Sequence, residues 1–384
     1  MSCAGCSMSM LNKKRILIFS TAYLPFVGGA ELAIKKISDH LGDFFDFDLI
    51  TSRLDRTLPK VETVGNVTVY RLGIGYTLWD KLWLPWGGAL KVRQLKTKNK
   101  YDFFWCVMAS FGSGAAYVSN IFSRRKIPII LTLQEGDSEK HLRRRWLGLV
   151  NISWRVALRR TTAVTAISTY LAGRAKKLGF KDEPQIIPNG VDFGEFVFES
   201  SENKKFKNLV TTSRLVHKNG IDLVIRALPL LPADIVFNIY GIGDEEGKLK
   251  KLANNLGVTE RVNFKGFVNS NQLAALLREK ESTSIFVRPS RSEGLGNSFL
   301  EAMAIGLPVV APLVGGIKDF LIDKETGFVV EAESPASIAS VIGYIMDQDN
   351  GLEVDRVRQN ARRLVEEQFA WPAIAEKMRT VFTA

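Results

Sequence analysis

Short runs of β-branched and aromatic residues alternate along the chain with longer stretches whose apolar positions recur every three or four residues. This alternation predicts βα units that feed parallel sheets. Seven runs come first: RILIFS (15–20), DFDLIT (46–51), VTVYRL (67–72), DFFWCVM (102–108), PIILTLQ (128–134), AVTAIS (163–168) and QIIPNG (185–190). The polar stretch FESSENKKFKN interrupts the pattern, and six more runs follow: LVTTSRL (209–215), IVFNIYG (235–241), VNFKGF (262–267), SIFVRPS (284–290), PVVAPL (308–313) and GFVV (327–330). Since single cores seldom grow past ~250 to 300 residues, 384 residues with such a break predict two domains. The expected fold class is α/β, with two Rossmann-like doubly wound domains facing each other across a cleft. Residues 1–14 form a flexible leader, 15–195 the first domain and 196–368 the second. Ligands of such sheets sit at the carboxyl ends of the strands. The final FAWPAIAEKMRTVFTA predicts a helix with Pro372 in its first turn, where proline is tolerated.

Composition removes several classes. Hydrophobic residues make up 46% and charged residues 24%, which is the balance of a packed chain and not of a disordered one. No apolar run approaches the ~18 to 20 residues of a membrane span. The leader reads as cytoplasmic and not as a signal peptide, because Lys13, Lys14 and Arg15 follow its small polar residues and lead straight into a strand. Met10 is an alternative start. Three cysteines cannot build a disulfide framework, which fits a reducing compartment. Cys3 and Cys6 form one C-x-x-C with no second pair, so no metal site is expected. Charge is unevenly spread: residues 1–185 hold 29 Lys and Arg against 14 Asp and Glu, while the remainder is net −3. That asymmetry points to an anionic partner for the first half: nucleic acid, an acidic membrane surface or a phosphorylated substrate.

Three strand-to-helix stops carry candidate chemistry. At Gly28-Gly29 a strand loops through Pro25 into a helix beginning near Ala30, where glycine admits close backbone approach and free amides favour anions. It is neither a G-x-G-x-x-G nor a phosphate-binding P-loop, and a plain turn explains it equally well. At SRLVHKNG, Arg214 and Lys218 stand four residues apart at a strand end, a pair suited to a diphosphate or simply solvated. At RPSRSEGLGNSFLEAMAIG, Glu293 occupies a glycine-bounded turn and Glu301 follows eight positions later on a helix. Ser298 and Glu301 fit a capping box, in which Glu301 merely returns to the helix start. Glu293 has no such explanation and requires a hydroxyl, cation or water. The amides of Leu295, Gly296, Asn297 and Ser298 face the same point. A sugar nucleotide supplies hydroxyls at both ends and a diphosphate between them.

FVGGAE, SRLVHKNG, PNGVD, YGIGDEEGKLKKLA and RPSRSEGLGNSFLEAMAIGLPVVAPLVGGIKDFL together resemble glycosyltransferase family 4, the retaining sugar-nucleotide transferases of the GT-B fold. The resemblance covers nearly the whole chain in order. It implies a donor held mainly by the second domain, Glu293 on the transferred sugar, Glu301 on the nucleotide ribose, and Arg214 and Lys218 on the diphosphate, with Gly28 and Gly29 closing from the first domain. It implies no bound metal or other cofactor, and a last helix (369–384) that crosses back to the first domain. Where many relatives carry a histidine after the strand PIILTLQ, this chain reads QEGDSEKH, with Glu135 and Asp137 as possible sugar or acceptor contacts and His141 displaced.

The basic first half remains to be placed. The segment 139–160, a predicted helix, interleaves Arg143 to Arg145, Arg155, Arg159 and Arg160 with Trp146 and Trp154, and a nearby loop, YTLWDKLWLPWGG, adds three tryptophans. Such a surface suits either a solvated helix face or anionic lipid headgroups. The expected partners are a nucleotide-sugar donor and a saccharide or lipid-linked acceptor, at the inner face of a membrane. Nucleic acid is not among them: no recognisable motif is present, and it would leave the paired glutamates unexplained. Another GT-B reaction, epimerisation or phosphorolysis, is the alternative within enzymes.

Overall fold

The computed structural model describes residues 13–136, 149–197, 206–279 and 283–384. The first sheet contains β1 (Lys14–Phe19), β2 (Phe45–Ser52), β3 (Val61–Val64), β4 (Val67–Leu72), β5 (Phe103–Val107), β6 (Ile129–Leu133), β7 (Ala163–Ala166) and β8 (Gln185–Ile186). Their spatial order is β3-β4-β2-β1-β5-β6-β7-β8. The second contains β9 (Asn208–Thr212), β10 (Val236–Tyr240), β11 (Val262–Gly266), β12 (Ser284–Val287), β13 (Val309–Ala311) and β14 (Phe328–Val329), in the order β11-β10-β9-β12-β13-β14. Apolar runs covered on both faces give parallel ladders throughout, with the exception of β3, which pairs antiparallel with β4. β3 went unpredicted because VETV is short and half polar. The two-residue Gly65-Asn66 turn, with Gly65 at φ 59°, is the hairpin signal that marks it.

All thirteen predicted runs contain strands, but several stop early. The run 284–290 leaves its ladder after Val287, and 209–215 after Thr212. The residues shed this way, SRL and RPS among them, become the loops at the carboxyl edge.

Helices α1 (Gly29–Leu41), α2 (Thr77–Lys96), α3 (Phe111–Ile121), α4 (Leu149–Arg160) and α5 (Thr169–Lys177) accompany the first sheet. Helices α6 (Ile221–Ala227), α7 (Glu246–Asn255), α8 (Ser270–Glu279), α9 (Asn297–Ile305), α10 (Pro335–Met346) and α11 (Gly351–Gln368) accompany the second. The tryptophan-rich segment expected as a loop is α2. Pro85, Gly87 and Gly88 disguise it, since each is a helix breaker. Tertiary contacts override them: Gly88 lies against Ala115 of α3 and Pro85 against Gly114. Asp80 then holds the entry by accepting from the amides of Ile74, Gly75 and Tyr76 at 3.0, 2.7 and 3.2 Å. Of the basic segment 139–160, residues 139–148 lie outside the described residues, and the rest forms α4.

The last helix, α12 (Trp371–Thr383), leaves the second domain and packs on the first beside α1. Fully buried Phe382 meets the rings of Phe45 and Trp105 edge-on, at centroid distances of 5.5 and 5.3 Å. The two crossings between domains run side by side, the Val191 amide donating to Phe369 O at 2.7 Å. Truncating a ring buried in this way costs about 3–5 kcal/mol. Phe382→Ala should lower the stability of the first domain by that amount in equilibrium urea unfolding; a loss under about 1 kcal/mol would show that α12 contributes little.

Candidate functional site

In doubly wound sheets the ligand crevice opens where the strand order reverses. These switch points lie between β1 and β5 in one sheet and between β9 and β12 in the other. The predicted glycine turn follows β1, while Arg214 and Lys218 follow β9 and Glu293 follows β12, so topology brings these segments to the two crevices.

The loops meet across the domain boundary. Ser292 Oγ donates to Gly136 O at 2.8 Å, and Asn189 Nδ2 donates to Asn297 Oδ1 at 3.2 Å and to Gln134 Oε1 at 3.3 Å. The Thr169 amide donates to Asp319 at 2.7 Å. At the centre stands Gly136. A Cβ built there would lie 3.2 Å from Lys218 Nζ, 3.2 Å from Glu293 Oε1 and 2.9 Å from the Gly294 amide. Lys218 and Glu293 therefore converge on one point, with the first domain's backbone against them. A Cβ on Gly29 would similarly lie 3.4 Å from Asn297 Nδ2, at the start of α9. Gly28 is the residue before α1, and its missing side chain leaves room for Glu31 Oε2.

Lys218 is fixed from behind. Arg291 donates to His217 O at 2.7 Å and, as a fork, to Asp222 at 2.8 and 2.9 Å, while its amide donates to Lys218 O at 2.7 Å. Gly220 has φ 70° and passes so close to Pro289 that a Cβ would stand 2.0 Å from that carbonyl. Arg214 is exposed at the end of β9, its carbonyl accepting from Asn219 Nδ2 at 2.7 Å. Its charge reaches across the boundary to the buried Glu31. Burial pushes the Glu31 carboxyl up, and backbone amides and Arg214 draw it back.

Glu293 has a partner that the sequence reading missed. Arg288, 5% exposed at the end of β12, donates to Glu293 Oε2 at 2.6 Å. The same guanidinium donates to Ser298 Oγ at 2.7 Å and to Ser290 Oγ at 3.2 Å, and stacks 4.1 Å from the centre of the Phe299 ring. Burial lowers its pKa, opposed by Glu293 and Glu301. Glu293 Oε1 accepts from the Gly294 amide at 3.0 Å. Behind this turn, Gly316 donates to Glu293 O at 3.2 Å, and Gly315, at φ 55°, leaves only 1.9 Å between a hypothetical Cβ and that carbonyl. The Val-Gly-Gly tail of the motif is thus a backing for the Glu293 turn.

The capping box does not form. Gly296, in the left-handed region at φ 90°, precedes Asn297 at the start of α9, so Ser298 lies one residue inside the helix and accepts from Arg288. Leu295 is buried beneath the turn. The Glu301 carboxyl is pushed up to about 7 by burial, while Arg288 draws it down and Glu195 raises it further. Glu135 is not a solvated loop carboxylate: it accepts from the Ala109 amide at 2.5 Å and the Gln134 amide at 3.0 Å. Burial pushes it to about 7 against those amides. Asp137 and His141 lie outside the described residues.

The profile described as Glycosyl transferases group 1 matches residues 192–364, and that of Glycosyltransferase Family 4 matches residues 27–195. The chain belongs to the family 4, group 1 glycosyltransferases. It is 27% identical over 401 residues to an uncharacterized glycosyltransferase of Methanocaldococcus jannaschii, spanning 96% of this chain and 97% of that one. It is 30% identical over 239 residues to the GDP-mannose-dependent alpha-(1-6)-phosphatidylinositol monomannoside mannosyltransferase of Mycobacterium tuberculosis, a match covering 57% of this chain and 60% of that protein. Sucrose-phosphate synthase from Thermosynechococcus elongatus superimposes with a TM-score of 0.82 at 19% identity, covering 97% of this transferase and 98% of that chain, which shows the GT-B fold.

Two consequences of the transferase's geometry are measurable. With Glu135 and Glu301 protonated up to about 7 in the folded chain, the folded state binds more protons than the unfolded one from the ordinary carboxylate range upward. Stability is then lost as pH rises through that window. Glu135→Gln and Glu301→Gln should each flatten the pH dependence of the urea midpoint between about pH 5 and 7, and an unchanged slope would mean that the carboxylate is already ionised. Breaking the buried Arg288–Glu293 pair from one side costs about 3–5 kcal/mol. In a double-mutant cycle, Arg288→Ala and Glu293→Ala together should therefore cost less than the sum of the two single changes; strict additivity would dissolve the pair as an energetic unit.

Proposed function

We propose that this glycosyltransferase moves a hexosyl residue from a UDP- or GDP-sugar to a saccharide or lipid-linked acceptor, with retention at the anomeric carbon and without a bound metal ion. One observation carries the reading: Lys218 Nζ and Glu293 converge beside Gly136, at the switch point of the second sheet. A cation and a carboxylate side by side match a diphosphate joined to a polyhydroxylated ring.

In this arrangement Arg214 and Lys218 flank the diphosphate from one side, and the start of α9, Leu295 to Ser298, approaches it from another. Glu293 accepts from sugar hydroxyls. Arg288, donating to Glu293 Oε2, keeps that carboxylate oriented. Glu301, deeper along α9, takes the ribose hydroxyls. When the bond between the anomeric carbon and the phosphate oxygen breaks, negative charge grows on the departing nucleoside diphosphate. Fixed cations in a partly dehydrated site stabilise that charge more than the ground state, which lowers the barrier. Glu135, held by two backbone amides beside the same loop, contacts the sugar or the acceptor. The name of the mycobacterial relative specifies GDP-mannose, which supports testing a GDP-linked donor first.

The test is thermal stabilisation by a panel of UDP-, GDP- and ADP-sugars, followed by mass spectrometry and anomeric NMR of products. A ligand at 100 times its Kd adds about 2.7 kcal/mol of stability, so the true donor stands out from the rest. Glu301→Ala should weaken stabilisation by the free nucleoside diphosphate, whereas Glu293→Ala should spare it and abolish transfer. Normal transfer by both variants would overturn the assignment, and an inverted anomer in the product would overturn retention.

A further inference from the structure

Helix α2 is apolar on two faces, and only one of them is used by the fold. Leu84, Val92 and Leu95 are buried on the inner side, where Gly88 and Pro85 lock the helix against α3. On the outer side Leu78 (62%), Trp79 (70%), Leu82 (39%), Trp83 (54%), Trp86 (55%) and Leu90 (62%) are exposed. Their spacing of three and four places them along one stripe. Such a continuous apolar strip is far more than a water-facing helix needs, and large exposed patches of this kind mark interaction surfaces.

The surroundings select the partner. Between Lys81 and Lys126 stand nine Lys and Arg against one acid, Asp102, and that carboxylate already accepts from the Arg15 amide at 2.9 Å. The cations crowd one another at the end of the stripe. Lys91 and Lys96 are each held below the ordinary lysine range, first by burial and then by the charges of Lys98 and Arg125 respectively. Lys96 Nζ donates to Ser123 Oγ at 3.0 Å, tying α2 to the basic loop that carries Arg124, Arg125 and Lys126. A symmetric contact with a second copy would set this cluster against itself. An anionic bilayer instead offers phosphates to the cations and an interfacial zone to the tryptophans, whose rings favour that boundary.

We propose that the outer face of α2 is a docking surface for an anionic lipid membrane, with the tryptophan stripe at the headgroup boundary and the Lys96, Lys98 and Arg125 cluster on the lipid phosphates. The inference rests on the transferase reading in one respect, that a lipid-linked acceptor gives the docking its use. The bilayer contact itself is a separate physical claim.

Flotation of the full chain with phosphatidylglycerol–phosphatidylcholine vesicles, against vesicles of phosphatidylcholine alone, tests it. The wild type should float with the anionic vesicles at low salt, more weakly at high salt, and at least tenfold less with the neutral ones. Trp79→Ser, Trp83→Ser and Trp86→Ser combined should reduce anionic partitioning at least tenfold, as should Lys96→Glu with Arg125→Glu. Failure of the wild type to float at low salt, or equal flotation of the tryptophan variant, overturns the proposal. So does sedimentation as a dimer that the tryptophan changes convert to monomer, because the stripe would then be a self-association surface. Stabilisation of the tryptophan variant by the sugar nucleotide in vesicle-free solution, equal to that of the wild type, shows it folded and tests the donor-site reading independently of the vesicle result.

Discussion

A desolvated guanidinium must be paired or it destabilises the fold, and the carboxyl edge of the second domain's sheet is arranged around one. Arg288 leaves β12 with its side chain turned inward, and four neighbours answer it: Glu293, Ser290, Ser298 and the face of Phe299. Satisfying that cation fixes the Glu293 turn. It also engages the Ser298 hydroxyl in the first turn of α9, and places a positive charge near Glu301. The turn in turn presses on Gly315 and Gly316, whose lack of side chains allows the contact. One buried ion thus couples the strand, the turn, the helix start and the following loop into a unit.

The same economy appears across the domain boundary, where close approach is made by residues with little or no side chain. Gly136 admits Lys218 and Glu293, Gly29 admits Asn297, and Asn189 bridges Gln134 to Asn297. Interfaces inside a chain resemble transient ones unless they are large and apolar. This boundary is narrow and polar where the loops meet, while the crossings at Val191 and Phe369 hold the domains together at one side. A donor placed among these loops would touch both domains at once.

How much of this was legible in the sequence depended on whether the controlling interaction was local. The thirteen parallel strands were legible because burial on both faces imposes apolar runs. The positions of Arg214, Lys218, Glu293 and Gly29 followed from strand-to-helix stops, which topology then carried to the switch points. The capping box misled because Ser298 and Glu301 have the right spacing but the left-handed turn at Gly296 starts the helix at Asn297, which puts Ser298 inside it. Arg288 was invisible because an arginine at the end of an apolar run reads as a solvated terminus, and its four partners are decided by tertiary packing. Helix α2 was lost for a similar reason, its breakers being tolerated only because α3 presents Gly114 and Ala115 to them.

The distribution of charge acquires a different meaning once the fold is known. A basic first half could have supplied the cations for a phosphorylated substrate. The structure draws the cations near the domain boundary, Arg214, Lys218, Arg288 and Arg291, from the half that is net −3. Each is held by near neighbours that belong to that half: Asn219 behind Arg214, Arg291 behind Lys218, Glu293 against Arg288, and Asp222 with Glu333 against Arg291. A site for a diphosphate needs two or three fixed charges in a poorly hydrated crevice, where each acts strongly, and a surplus spread over an outer surface adds little there because water and salt screen it. On the proposed docking reading, the excess of the first half acts where a large, extended anion can meet many weak charges at once. Its cluster of Lys96, Lys98 and Arg125 stands at the carboxyl end of the helix that carries the exposed tryptophans. In the two proposed readings, charge number and charge placement thus answer to two different ligands, one met by a few cations held at the domain boundary and one by a field.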